Sequence, residues 1–262
     1  MSAIADRLQS VRSRIDAAAR AAGRDPATVG LLAVSKTWPA AAVQAAVEAG
    51  QTAFGESYVQ EAVEKIAEVR RLLATGGPGD DAASPAGDPG PDLSPTSLAS
   101  LSIPPSLAWH FIGPLQSNKT RLVAENFAWV HSIERLKIAE RLSAQRPGHL
   151  PPLQVCVQVN VSGEASKSGC DPAEAGALCR QVAALPGLRL RGLMAIPAPV
   201  DDPEAQRRPF RQLRQLFESL RAGGLVLDTL SMGMSHDLEA AVAEGATLVR
   251  IGTAIFGERT YP

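Results

Sequence analysis

The sequence predicts an α/β protein, a single (β/α)8 TIM barrel over residues 1–262 with an additional N-terminal helix. Three observations carry that prediction. Strand-like and helix-like patterns alternate eight times within roughly 230 residues, each unit too short for anything but a βα repeat. The first strand, Val29–Val34, is a run of small and branched apolar residues, as expected of a parallel strand covered on both faces. No Gly-x-Gly-x-x-Gly follows an early strand, which disfavours an open, doubly wound sheet.

The elements follow in order. Ile4, Leu8, Val11, Ile15 and Ala18 fall at spacings of three and four, so residues 3–22 form an amphipathic helix. After the first strand and Lys36 comes a helix at Ala40–Glu48, closed by Gly50 as its C-cap. Thr52–Glu56 is the second strand. Ser57 and Gln60 form a capping box for a helix reaching about Leu73. Leu107–Ile112 is the third strand, with a helix from Ser117. Ala128–Ser132 is the fourth, with a helix at Glu134–Ala144. Leu153–Val161 is the fifth, where Val155, Val157, Val159 and Val161 alternate with other residues. Asp171-Pro172 with Glu174 starts a helix, with Asp as N-cap and Pro at the first position. Leu188–Ile196 is the sixth strand, and Asp202-Pro203 opens a long helix to about Arg221. Leu227–Met232 is the seventh, Ser235 caps a helix to Glu244, and Thr247–Ile251 is the eighth.

Residues 75–106 differ in kind. These 32 positions hold seven prolines, five glycines, six serines and four aspartates. No lysine or arginine occurs between Arg71 and Lys119. Such low-complexity sequence buries no core, so it is expected to be a disordered, acidic insertion within the barrel domain.

Composition bounds the function. The chain has 262 residues, 45% of them apolar and 4% aromatic, so its core is built chiefly from Ala, Val, Leu and Ile. A net charge of −1 gives no footprint for nucleic acid or an acidic membrane surface. Cys156, Cys170 and Cys179 lack metal-ligand spacing and are odd in number, which suggests a reducing compartment. Met1–Arg24 carries charges among its alanines and no apolar signal-peptide core. No apolar run approaches the roughly 20 residues of a membrane span. A cytoplasmic, monomeric protein with no metal is expected.

Three features carry chemistry. Lys36 closes the first strand just before a helix, at the carboxyl edge where α/β folds keep their ligands. A partly desolvated amine there can attack a carbonyl and form a Schiff base; a surface lysine closing a strand is the plainer reading. The stretches Leu230–Ser235 and Val249–Gly257 follow strands seven and eight, where barrels frequently bind phosphate. Ser235, Gly252 and Thr253 offer hydroxyls and a close backbone approach, although each also suits an ordinary turn. Arg250 lies in a strand between Val249 and Ile251 and needs a partner: either a barrel carboxylate or a ring nitrogen of a bound cofactor. Amine, phosphate cradle and ring-facing cation together point to pyridoxal 5′-phosphate (PLP).

The matching stretches are Ala33-Val-Ser-Lys-Thr37, Phe54–Glu61, Trp109–Lys119, Val159-Asn-Val, Ser166-Lys-Ser-Gly169, Gly192-Leu-Met, Ser231-Met-Gly-Met-Ser235 and Arg250–Gly257. On this ordered set the sequence resembles the pyridoxal phosphate homeostasis protein family, of the alanine-racemase fold type. The resemblance implies that Lys36 carries PLP as a Schiff base, that Ser235, Gly252 and Thr253 hold its phosphate, and that Arg250 faces the pyridine nitrogen. Met232 and Ser57 complete the implied cofactor-binding set, and Lys167 resembles a second attachment point. Three positions depart from the family pattern: Ser57 for the usual Asn, Trp38 for a frequent second lysine, and His236 for an acid. His110 fits a barrel-lining histidine better than a general base.

The resemblance implies storage, buffering and delivery of PLP, with apo-enzymes as recipients and no catalytic residues. A PLP-dependent racemase or decarboxylase of the same fold is the alternative. Relatives that racemise carry a C-terminal β-domain, which is not expected here, as the sequence runs only to Pro262. They also use a second base, commonly tyrosine, and only Tyr58 and Tyr261 are present. Arginine keeps its proton and so leaves a pyridine nitrogen unprotonated, which weakens the ring as an electron sink. A Schiff-base aldolase acting on sugar phosphates explains Lys36 and the cradle but gives Arg250 no role.

Overall fold

The computed structural model describes residues 2–75, 107–163 and 168–258. The expected insertion, except Thr75, lies outside the described residues, as do Lys167 and Tyr261. Eight parallel strands close a barrel in chain order: β1 (Gly30–Val34), β2 (Ala53–Glu56), β3 (Ala108–Phe111), β4 (Trp129–Ile133), β5 (Leu153–Gln158), β6 (Leu188–Met194), β7 (Thr229–Ser231) and β8 (Leu248–Ile251). The barrel closes where Gly30 to Ala33 pair with Leu248 to Ile251.

The helices are α1 (Ala3–Ala21), α2 (Ala40–Glu48), α3 (Val59–Thr75), α4 (Thr120–Asn126), α5 (Leu136–Gln145), α6 (Pro172–Ala183), α7 (Pro203–Ala222), α8 (Leu238–Ala243) and α9 (Thr253–Phe256). Asp171 and Asp202 cap α6 and α7 by accepting the amides of Ala173 and Ala205. Both caps precede a proline whose fixed φ suits the first helical turn.

Two side-chain layers result. The outward residues of the strands pack on the helices: Ala33, Phe54, Phe111, Val155, Val157, Leu193 and Val249 are buried in one cluster with Leu8, Ile66, Ile138, Leu142 and Phe210. Inward residues occupy the alternate positions. Leu32 and Val34 are buried outside that cluster. α1 adds a further layer. Its Leu8, Val11, Ile15 and Ala18 are buried, and it packs on α8, α9 and α2. Its arginines reach backbone carbonyls at the ends of those elements: Arg7 to Phe256, Arg12 to Ala49 and Gly50, Arg14 to Ser235.

Several expected boundaries move by one to three residues, and two of the shifts have a visible cause. The fifth strand ends at Gln158, because the Asn160 amide turns to the Cys170 carbonyl at 2.9 Å. The helix assigned to a Ser235 cap begins three residues later, at Leu238. Asp237 Oδ1 accepts the Met234 amide at 2.5 Å and closes the intervening turn itself.

Candidate functional site

The chain leaves β1 through Ser35, Lys36 and Thr37. Thr37 has a φ of 68°, in the left-handed region that non-glycine residues rarely occupy. At this edge of the barrel a cavity of about 320 Å³ opens, lined by Lys36, Ser57, Ser235, Arg250, Gly252 and Thr253, with Val34, Ile112, Ile196, Met234 and His236. Six of the seven residues singled out in the sequence therefore share one cavity, contributed by the ends of β1, β2, β7 and β8. The seventh, Met232, is fully buried in the outer core. Met234, two residues on, supplies the lining in its place.

Strand periodicity brings Arg250 inward, opposite β7. One Nη1 donates to the Ser231 carbonyl at 2.6 Å and to Ser231 Oγ at 2.8 Å, and Nη2 donates to the Ala195 carbonyl at 2.9 Å. Among the described residues it pairs with no carboxylate. Burial pulls its pKa down to about 10, so it remains a cation at neutral pH. A guanidinium has five N–H groups. Among the described residues three are engaged, which leaves Nε–H and one Nη2–H on a side chain that lines the cavity.

Beneath the cavity a polar chain crosses the barrel. Ser231 Oγ lies 2.8 Å from His131 Nδ1, and His131 Nε2 lies 2.9 Å from His110 Nδ1. Because Arg250 can only donate, Ser231 must pass its own hydrogen to His131 Nδ1. His131 then carries its proton on Nε2 and gives it to His110 Nδ1. Both rings are neutral: burial lowers His110 to about 3 and lowers His131 well below its usual range, with His110 and Arg250 adding to the effect. His110 stacks on Trp129 at 5.2 Å. The residue read as a barrel-lining histidine is one.

The loop after β7 is held from outside. Gly233 turns with φ 96°, and a Cβ there would meet Ala241 Cβ at 2.6 Å. Arg14 donates to the Ser235 carbonyl at 2.6 Å while gripping both carboxylate oxygens of Glu239. Gly252 precedes α9, and a Cβ on it would stand 3.1 Å from the Val34 carbonyl. Ser235 and Thr253 thus line the cavity together with a glycine whose backbone runs hard against β1.

Trp38, where the family often has a second lysine, stacks on Phe256 at 5.8 Å and lines an adjoining groove with Thr37, Glu61 and Glu64. His131, Ser231 and Arg14 escaped the sequence reading as functional residues. Only Ser231 lay in a motif; the other two meet the site through contacts more than 95 residues away in the chain.

The arrangement places an amine, a fixed cation with donors to spare, and hydroxyl and backbone donors around one small cavity. The family described as "Alanine racemase, N-terminal domain" matches residues 7–260. The chain is 57% identical over 261 residues to the pyridoxal phosphate homeostasis protein of Pseudomonas aeruginosa, covering 100% of this chain and 98% of that one. It is 51% identical over 261 residues to the protein of the same name from Escherichia coli K12, covering 100% and 99%. PipY of Synechococcus elongatus PCC7942, solved with PLP bound, matches with a TM-score of 0.74 and 37% identity, over 97% of this chain and 100% of that one.

Proposed function

The chain belongs to the family of pyridoxal phosphate homeostasis proteins, and from that premise we propose that it binds PLP on Lys36 and acts in its storage, buffering and delivery. One observation carries the reading: Lys36, Arg250, Ser235, Gly252 and Thr253 line a single cavity.

The residues fit the cofactor. Two N–H groups of Arg250 remain for the pyridine nitrogen. The Ser235 and Thr253 hydroxyls, with the close-packed backbone at Gly252, suit a phosphate. Ser57 also lines the cavity. When bound, PLP supplies an aldehyde that condenses with an amine, with loss of water. The Lys36 amine is the nucleophile in the lining, and Thr37 fixes the turn from which it enters. Arg250 would hold its proton and donate to the ring nitrogen. The Ser231, His131 and His110 chain keeps the guanidinium in place and offers it no base.

The same geometry supports a carrier over an enzyme. The titratable residues of the lining are Lys36, His236 and Arg250. Tyr58 is 54% exposed and is not part of the lining. Arg250 leaves the ring nitrogen unprotonated, which disfavours carbanion chemistry. PLP-dependent apo-enzymes are the recipients, and the chain works as a monomer in the cytoplasm. The three free, buried cysteines suit a reducing compartment, and no helix among the described residues is long and apolar enough to cross a membrane.

The test is the visible spectrum of the purified protein, followed by borohydride reduction and peptide mapping. A yellow protein with the pyridoxyl group on Lys36 is expected. A colourless protein that takes up no added PLP removes the reading. Label on Lys167 alone keeps PLP binding and moves the site.

A further inference from the structure

A second lysine lies behind the first. Lys65, on the buried face of α3, has a side chain only 5% exposed and does not line the cavity. Its Nζ donates to the Ser35 carbonyl at 2.7 Å, to Glu56 Oε1 at 2.8 Å and to Glu61 Oε1 at 2.8 Å. The same Glu61 Oε1 accepts the Thr37 amide at 2.6 Å. Ser35 Oγ donates to Glu56 Oε1 at 2.8 Å. Two side chains on one helix, four residues apart, thus grip the backbone on both sides of Lys36: Lys65 holds the carbonyl before it and Glu61 holds the amide after it.

The grip coincides with the strained residue. Thr37 adopts its left-handed φ of 68° between these anchors. A β-branched residue leaves that region unless its surroundings over-determine it. The Trp38 amide closes the turn on the Ser35 carbonyl at 3.0 Å; the Glu61 carboxylate adds a restraint on the Thr37 amide, and Lys65 fixes that carboxylate. Glu56 anchors Lys65 in turn. Its side chain is fully buried, and burial raises its pKa although Lys65 and Ser35 work in the opposite direction. Anchoring α3 to the barrel needs no bond to the two peptide groups that flank the cavity lysine.

We propose that Lys65 and Glu61 are positioning residues for Lys36: together they hold the Ser35–Thr37 turn in the left-handed geometry that directs the Lys36 amine into the cavity. The proposal rests on the assignment of PLP to Lys36 and adds the device that presents that amine. Lys65, held by two carboxylates and turned away from the cavity, takes no part in the chemistry.

Glu61→Ala is the primary variant, because Glu61 is partly exposed and its loss leaves the Lys65–Glu56 pair intact. Lys65→Met combined with Glu56→Gln is the second, so that no buried carboxylate is left unpaired. Circular dichroism and thermal melts check folding. In cofactor-free protein, amide hydrogen exchange at Thr37 is expected to speed up at least tenfold in Glu61→Ala. With PLP equimolar to protein, borohydride-fixed label on Lys36 is expected to fall at least fivefold in both variants. Adding Thr37→Gly, which adopts positive φ without a restraint, is expected to return labelling of Glu61→Ala to within about twofold of wild type. A purely structural role predicts no such rescue. Wild-type labelling that both variants preserve overturns the proposal alone, as does a loss that Thr37→Gly leaves unrestored. A wild-type protein unlabelled at Lys36 overturns the cofactor assignment and the proposal with it, whatever the exchange data show.

Discussion

His131 Nε2 and His110 Nδ1 meet 2.9 Å apart in the middle of the barrel, both neutral, with a cation two bonds further along the same chain. This pair fixes a pH dependence. The unfolded imidazoles titrate near 6.5. In the folded protein burial takes His110 to about 3 and His131 well below 6.5. Below pH 6.5 the unfolded chain therefore binds protons that the folded chain refuses. The stability these neutral rings confer is complete above pH 6.5 and is lost as pH falls towards their folded values. The slope is up to about 1.4 kcal/mol per pH unit for each ring. Urea unfolding at pH 7, 6 and 5 measures it, above the range where Asp228 and Glu244, which hydrogen-bonded arginines hold below their usual values, begin to titrate; Glu56, raised by burial, contributes with the opposite sign and cancels in the comparison of wild type with a histidine variant. His110→Gln keeps an acceptor for His131 and is expected to remove about half the slope; an unchanged slope means that the rings are not the source.

Arg250 is the second point of leverage. Its guanidinium donates to the Ser231 and Ala195 carbonyls, which no other described side chain reaches. Arg250→Glu replaces a buried donor by a charge of the opposite sign facing two carbonyls. A stability loss above about 3 kcal/mol is expected, read as a lower urea midpoint. The absorption of bound PLP is expected to shift as well, because the ring nitrogen then meets an acid rather than a fixed donor. A variant with wild-type midpoint and spectrum reduces Arg250 to ordinary barrel structure.

How much of this was legible from the chain depends on how far apart the partners lie. Helix starts such as Asp171-Pro172 and Asp202-Pro203 use hydrogen bonds two or three residues long, and both stand as read. The barrel follows from eight local patterns, and the Lys36, Arg250 and Gly252 positions follow from strand ends. Ser235 was misread as a cap because a serine before a helix ordinarily bonds to it; here Asp237 closes the turn and Ser235 faces the cavity. The bonds from His131 to Ser231 span 100 residues, those from Arg14 to Ser235 span 221, and those from Lys65 to Ser35 span 30. No local pattern announces such pairs, since a buried lysine on an amphipathic helix reads as a break in its apolar face.

Ser235 and Arg14 separate contact from support. Ser235→Ala removes one hydroxyl from the cavity. It is expected to weaken PLP retention by about 1–2 kcal/mol, roughly 5–30-fold, the value of one hydrogen bond to a charged group. Arg14 donates to the Ser235 carbonyl and to Glu239 and does not line the cavity. Arg14→Ala is expected to act through the same loop, with a smaller loss that disappears in the Ser235→Ala background. Equilibrium dialysis of the two single variants and the double variant reads the coupling, and strictly additive losses rule out a shared route.

The last prediction concerns traffic through the cavity mouth. Trp38 is committed to its stack on Phe256 and Tyr58 is more than half exposed, so neither aromatic closes the site. Ile196, His236 and Thr253, all in the lining, are exposed. On the proposed assignment, exchange through this opening would require release of the Lys36 amine and of the phosphate donors. Holo-protein mixed with an apo-transaminase is therefore expected to restore its activity, with a rate set by release from Lys36 and so faster for Ser235→Ala than for wild type. The chemical arm is separate. On the proposed assignment Arg250 would face the ring nitrogen without giving up its proton, and no tyrosine among the described residues lines the cavity. Alanine and serine incubated with holo-protein are expected to show no racemisation, decarboxylation or transamination above the rate of free PLP by chiral chromatography. Transfer that Ser235→Ala does not accelerate places the slow step elsewhere. Turnover that vanishes in Lys36→Ala makes the protein an enzyme, with Arg250 tolerating the carbanion chemistry that its proton was argued to suppress.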